Sequence, residues 1–105
     1  MDEQIARVMY DKVADEVVSY AKTPTSLEGL IRAIRGKLSF PGNMSISEKP
    51  DHTSITAKVS LYLDDSKKDE VRVNVLCERK TEGVIAQGSV GAGPNFYACR
   101  PYLYD

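Results

Sequence analysis

The chain has 105 residues, with 14 basic and 15 acidic side chains and a net charge of −1. Val, Ile, Leu and Phe make up about a quarter of it, which excludes a disordered polymer and allows one small core but not two. Near-neutral charge argues against a dedicated duplex-DNA binder, which carries a basic footprint.

No stretch approaches the roughly 20 apolar residues that span a bilayer. Met1-Asp2-Glu3-Gln4 is acidic and leads into an amphipathic run, the wrong order for a secretory signal. The two cysteines are too few for a disulfide scaffold and do not form a CxxC pair. They read as free thiols in a reducing, cytoplasmic compartment. A single domain over residues 1–105 is expected.

The first predicted helix covers about residues 3–22. Ile5, Val8, Met9, Val13, Val17, Tyr20 and Ala21 form its expected apolar stripe at i, i+3, i+4 spacing. Glu3, Arg7, Asp11 and Asp15 occupy the opposite face, and the first three alternate in sign. The stripe stops before Pro24. The next four residues, Thr25-Ser26-Leu27-Glu28, match a capping box with Thr25 as the expected N-cap. A second helix is predicted over about 26–38, burying Leu27, Leu30, Ile31, Ile34 and Leu38. Arg32, Arg35 and Lys37 fill its other positions, and the late cations suit the helix dipole.

From about Phe40 the period changes to two. Ile55, Ala57, Val59, Leu61 and Leu63 alternate with polar residues, predicting a strand over about 53–63. Val71, Val73, Val75 and Cys77 predict another over about 70–79, across a polar turn at 64–69. Shorter candidates lie at about 44–48, 83–90 and 96–104, with Gly88, Gly91, Gly93 and Pro94 interrupting the last two. Helices first and strands after point to an α+β fold. The expected form is an N-terminal helical pair on one face of a four- or five-stranded antiparallel meander.

Candidate chemistry is sparse. Gln87 to Asn95 is glycine-rich, but it matches neither the dinucleotide fingerprint nor the Walker pattern, and Phe96 to Cys99 after it reads as strand rather than helix. A wide hairpin loop or bulge is the plain reading. His52 is the only imidazole, so neither a metal cluster nor a nucleophile–base pair is expected. Cys77 and Cys99 fall on strands separated by a third, too far apart to bridge. The acid pairs Asp15/Glu16, Asp64/Asp65 and Asp69/Glu70 read as solvated charge. No catalytic residue, metal or cofactor is expected, and the chain reads as a non-enzyme.

Two surface candidates remain. Arg32, Arg35 and Lys37, with Lys22 nearby, form a basic cluster that would meet phosphate or RNA. The aromatic pair of an RNA-recognition sheet is absent. Residues 81–105 carry only Glu82, Arg100 and Asp105 as charges, yet hold Tyr97, Tyr102, Tyr104 and Phe96. Charge depletion with tyrosine and arginine is the composition of an interface centre. In a regular strand Tyr102 and Tyr104 share a face with Arg100, and Tyr97 points the other way.

Asn95, Tyr97, Arg100, Tyr102 and Tyr104 are therefore the expected contact residues. The leading expectation is a small inhibitor, adaptor or accessory protein that binds a protein partner, a second copy of itself included. The alternative is a small-ligand or nucleotide pocket gated by the Gly88–Pro94 loop, and a third reading is RNA binding through the basic cluster. Membrane is not an expected partner.

Overall fold

A computed structural model describes residues 3–38, 42–62 and 70–105. Two helices, α1 (Glu3–Lys22) and α2 (Leu27–Leu38), precede five strands. These are β1 (Gly42–Glu48), β2 (Ser54–Tyr62), β3 (Glu70–Lys80), β4 (Gly83–Ala92) and β5 (Asn95–Tyr104). The strands form one antiparallel meander in the order β1-β2-β3-β4-β5. The α+β architecture expected from the sequence is the one found. Leu63, the predicted turn at 64–69 and the acids Asp64, Asp65 and Asp69 lie outside the described residues.

The alternating apolar residues of β2 and β3 all point to one face. Ile55, Ala57, Val59, Leu61, Val71, Val73, Val75 and Cys77 are buried there against α1. The opposite face carries Asn43, Ser45, Ser47, Lys58, Arg72 and Asn74 and is largely wet. One-sided burial is what makes the period-two pattern so clean.

Of the expected α1 stripe, Met9, Val13, Val17 and Ala21 are buried, while Ile5 and Val8 are 44% and 45% exposed. Ala6, Tyr10, Ala14 and Val18 are buried beside them and widen the stripe. The helix lies over β3 and β4, and its small Ala6 and Ala14 let the backbone approach the sheet. Tyr20, also assigned to the stripe, is half-buried. Lys37 of α2 reaches Glu16 of α1 at 3.3 Å.

The α2 N-cap is Ser26, not Thr25. Ser26 Oγ accepts the Gly29 N–H at 3.0 Å, and the Ser26 carbonyl accepts the Leu30 N–H, the first bond of the helix. The helix therefore begins one residue later than a capping box at Thr25 requires. Of its expected stripe, Leu30, Ile34 and Leu38 are buried, and Leu27 and Ile31 are half-buried.

The glycine-rich stretch is strand. β4 continues through Gly88 and Gly91 to Ala92, which pairs with Asn95, leaving only Gly93 and Pro94 as the turn. Gly93 has φ +58°, the left-handed conformation such a turn needs. The two inner glycines are sites of close approach. A side chain at Gly91 would meet the Arg72 guanidinium, and one at Gly88 would meet the Asn74 carbonyl and the Tyr10 ring. Packing, not turn formation, is what these glycines serve.

Candidate functional site

β5 is a free edge of the sheet among the described residues, and neither helix covers it. α1 reaches it through side chains. Arg7 donates to the Ala98 carbonyl at 3.4 Å and lies 6.0 Å from the centre of the Tyr97 ring. Lys22 donates to the Asp105 carbonyl at 2.8 Å. Between α1 and β5 this leaves a cleft of about 320 Å³, bordered by Arg7, Tyr10, Asp11, Cys99, Arg100, Tyr102 and Tyr104, with Ala86 beneath.

A bulge builds this cleft. Gly88 pairs with Cys99, but Ala86 pairs with Tyr102, so Arg100 and Pro101 together face Gln87. The extra residue flips the alternation. Val84, Ala86 and Val90 are buried on the helix side, and their partners are Tyr104, Tyr102 and Tyr97. All three tyrosines thus share the helix-facing side of β5. The expectation that Tyr97 points away is corrected, because it assumed a regular strand.

The side chains of the cleft differ in character. Tyr104 is half-buried, and burial pushes its hydroxyl pKa up. Tyr102 is 63% exposed and meets Tyr104 edge-to-face with ring centres 4.7 Å apart. Cys99 is buried, and desolvation raises its thiol against a smaller opposing effect of Arg7, whose Nη1 lies 4.0 Å from the sulfur. Tyr10 is 7% exposed, and its hydroxyl is buried without a hydrogen-bond partner. Its pKa is raised, chiefly by burial. A buried hydroxyl without a partner costs free energy, so the floor of the cleft holds an unsatisfied polar group. Tyr10 was assigned no role from the sequence. The glycine at position 88, which leaves room for its ring, was the available signal.

Asn95 sits at the β4–β5 turn, and neither it nor Gly93 and Pro94 borders the cleft. The expected gating loop is absent because that segment is paired strand. Arg32 and Arg35 are both exposed on α2, whereas Lys37 turns to Glu16. Helical spacing sends Lys37 to a different side from the two arginines, so the three do not form one patch.

A second cluster lies toward the β1 side of the sheet, at the C-terminal end of α1. Arg79 donates to the Ala21 carbonyl at 2.9 Å, to Glu48 at 2.6 Å and to the His52 carbonyl at 2.7 Å. Tyr20 donates to the other Glu48 oxygen at 3.0 Å, and His52 Nδ1 lies 3.3 Å from Glu48. The Arg79 guanidinium holds the Glu48 carboxyl below its usual range. Arg79 caps the C-terminal end of α1 and ties it to β1 and to the β1–β2 turn, a fastening rather than a reaction centre.

Cys77 and Cys99 are free and lie on β3 and β5, with β4 between them. Among the described residues no three His, Cys, Asp or Glu side chains converge to hold a metal ion. No helix among them is long and apolar enough to cross a membrane. Comparison with family models, curated proteins and solved structures finds no match for this chain.

Proposed function

We propose that this chain is a non-enzymatic binding module, an inhibitor, adaptor or accessory domain that takes a protein partner on β5 and its cleft. The observation that carries this reading is the uncovered fifth strand. Phe96, Tyr102 and Leu103 are 69%, 63% and 44% exposed, and all three lie on β5. They surround a strand whose only charge is Arg100. Exposed aromatics beside an arginine, with little other charge, suit recognition by shape and hydrogen bonding.

The partner meets Tyr102 and Arg100 at the mouth of the cleft and Phe96 and Leu103 on the outer face. A photo-crosslinking residue at position 103, exposed on β5, tests this in lysate of the source cell. The expected result is a discrete crosslinked protein that disappears when Arg100→Ala or Tyr102→Ala is added. Equal capture from exposed position 32 on α2 overturns the reading.

A small-ligand reading has one specific observation in its favour. The cleft is about 320 Å³, and it brings Arg7, Arg100 and two tyrosines together above the unpaired Tyr10 hydroxyl. A thermal-shift screen of carboxylates, phosphates and nucleotides separates the two. Stabilisation that Arg100→Ala removes favours a ligand, and a flat response favours the protein surface.

A further inference from the structure

Among the described residues the sheet has a second free edge, β1, and the two edges are built differently. β5 carries Pro101 and a bulge at its middle, devices that hinder pairing with another strand. β1 has no proline, lysine or bulge, and its register with β2 runs uninterrupted from Gly42 to Glu48. Its one charge, Glu48, turns inward to Arg79.

The helix-side flank of this edge is apolar and unfinished. Met44 and Ile46 pack against the core but are only half-buried. Above them Gly29 and Ala33 face α1, lining a crevice with Glu16, Ser19 and Tyr20. Helical spacing therefore turns Leu27 and Ile31, both half-buried, to the opposite flank, over the β1 edge. Arg35 stands at the same edge, bordering a small cavity with Gly42, Asn43 and Met44.

We propose that a second copy of this chain pairs here, β1 against β1, antiparallel about a two-fold axis through Ser45. In that register the strand is complementary to itself. Ser45 faces its own counterpart, and Asn43 faces Ser47 of the second copy on the wet face. On the other face Met44 meets Ile46, so the apolar core runs on across the axis, with Leu27 and Ile31 of both α2 helices closing over it. Gly42 faces Glu48, which brings Arg35 of one copy to the end where Glu48 of the other lies. No like charges oppose each other along the paired strands, and Glu48 stays on Arg79 of its own copy. The product is one continuous ten-stranded sheet, which removes the unprotected edge. The proposal is independent of the partner surface on β5.

Light scattering and sedimentation of the purified chain test it, with two charge-reversed variants. Asn43, Ser45 and Ser47 are exposed, so changing all three to Lys, or all three to Glu, leaves the folded monomer intact, which circular dichroism checks. The expected result is a wild-type dimer. Each variant alone weakens it by roughly tenfold or more, because three rows then hold like charges. An equimolar mixture of the two variants restores a mixed dimer, since every row then pairs Lys with Glu. A wild-type chain that stays monomeric up to millimolar concentration overturns the proposal. So does a dimer that persists in both variants, and one lost on Tyr102→Arg but not in the β1 variants moves the interface to β5.

Discussion

The ring of Tyr10 lies over Gly88: its Cε2 is 3.2 Å from where a side-chain carbon at position 88 would stand. The helix and the sheet meet there only because the strand residue has no side chain. Gly88→Ala would also drive that carbon into the Asn74 carbonyl. It is expected to cost about 2–3 kcal/mol in urea unfolding. Tyr10→Phe has the opposite sign. It keeps the ring and removes a buried hydroxyl that has no partner. It is expected to stabilise the free chain by about 1 kcal/mol, and a fall in Tm would show that the hydroxyl is satisfied in solution.

The α2 cap gives a second prediction. Ser26 Oγ accepts the Gly29 N–H, so Ser26→Ala is expected to cost about 1 kcal/mol, while Thr25→Ala changes stability by only a few tenths. Equal losses from the two, measured by urea denaturation, would return the cap to a shared box.

That one-residue difference shows how far the sequence could be read. Periodicity located both helices and the strands, most cleanly β2 and β3, which bury one face and leave the other wetter. It failed where the pattern depends on a neighbour. The α1 stripe is wider than its pattern shows, because Ala6, Ala14 and Val18 are buried beside Met9, Val13, Val17 and Ala21, and alanine carries almost no hydrophobic signal of its own. Gly88 and Gly91 resembled a loop because glycine marks both turns and close packing, and only the opposing Tyr10 and Arg72 distinguish them. Tyr102, Tyr104 and Arg100 were legible as a cluster from their charge-poor surroundings. The face that Tyr97 occupies was not, because one bulge residue inverts it.

Acid sensitivity is expected to centre on Glu48. Arg79 holds its carboxyl below the ordinary value of 4.5, with smaller help from Tyr20 and His52 against the cost of burial. The folded state therefore favours the ionised form. The stability this provides is present above about pH 4.5 and is lost as pH falls through the lower folded value. Glu48→Gln should lower stability at neutral pH and flatten the acid limb, read from urea midpoints between about pH 3 and 7. An unchanged acid limb would place the sensitivity elsewhere.

The thiols govern the alkaline side. Burial pushes Cys77 up to about 12 and raises Cys99 as well, against the opposing charge of Arg7. The unfolded chain releases these protons near the ordinary thiol value of 9, while the folded chain keeps them. Stability should therefore decline as pH rises above about 9, and Cys77→Ala should flatten part of that decline. In the native chain a thiol reagent is expected to modify Cys99, 9% exposed, before Cys77, which is fully buried. Reaction of Cys77 first would contradict the placement of β3 under α1.

The cleft residues separate a binding surface from a structural one. Arg100 and Tyr102 are exposed, and no hydrogen bond from either supports the fold among those described. Arg100→Ala is therefore expected to change unfolding free energy by no more than about 0.5 kcal/mol, and Tyr102→Ala, which gives up only the edge contact with Tyr104, by about 1 kcal/mol. Tyr104→Ala differs, because its ring packs on the core beside Val84, and it should cost about 2 kcal/mol or more. If β5 is a recognition strand, Arg100→Ala and Tyr102→Ala abolish partner capture while the unfolding curve moves no more than that. If both lower stability as far as Tyr104→Ala does, the exposed strand is part of the fold's own support, and the binding reading fails.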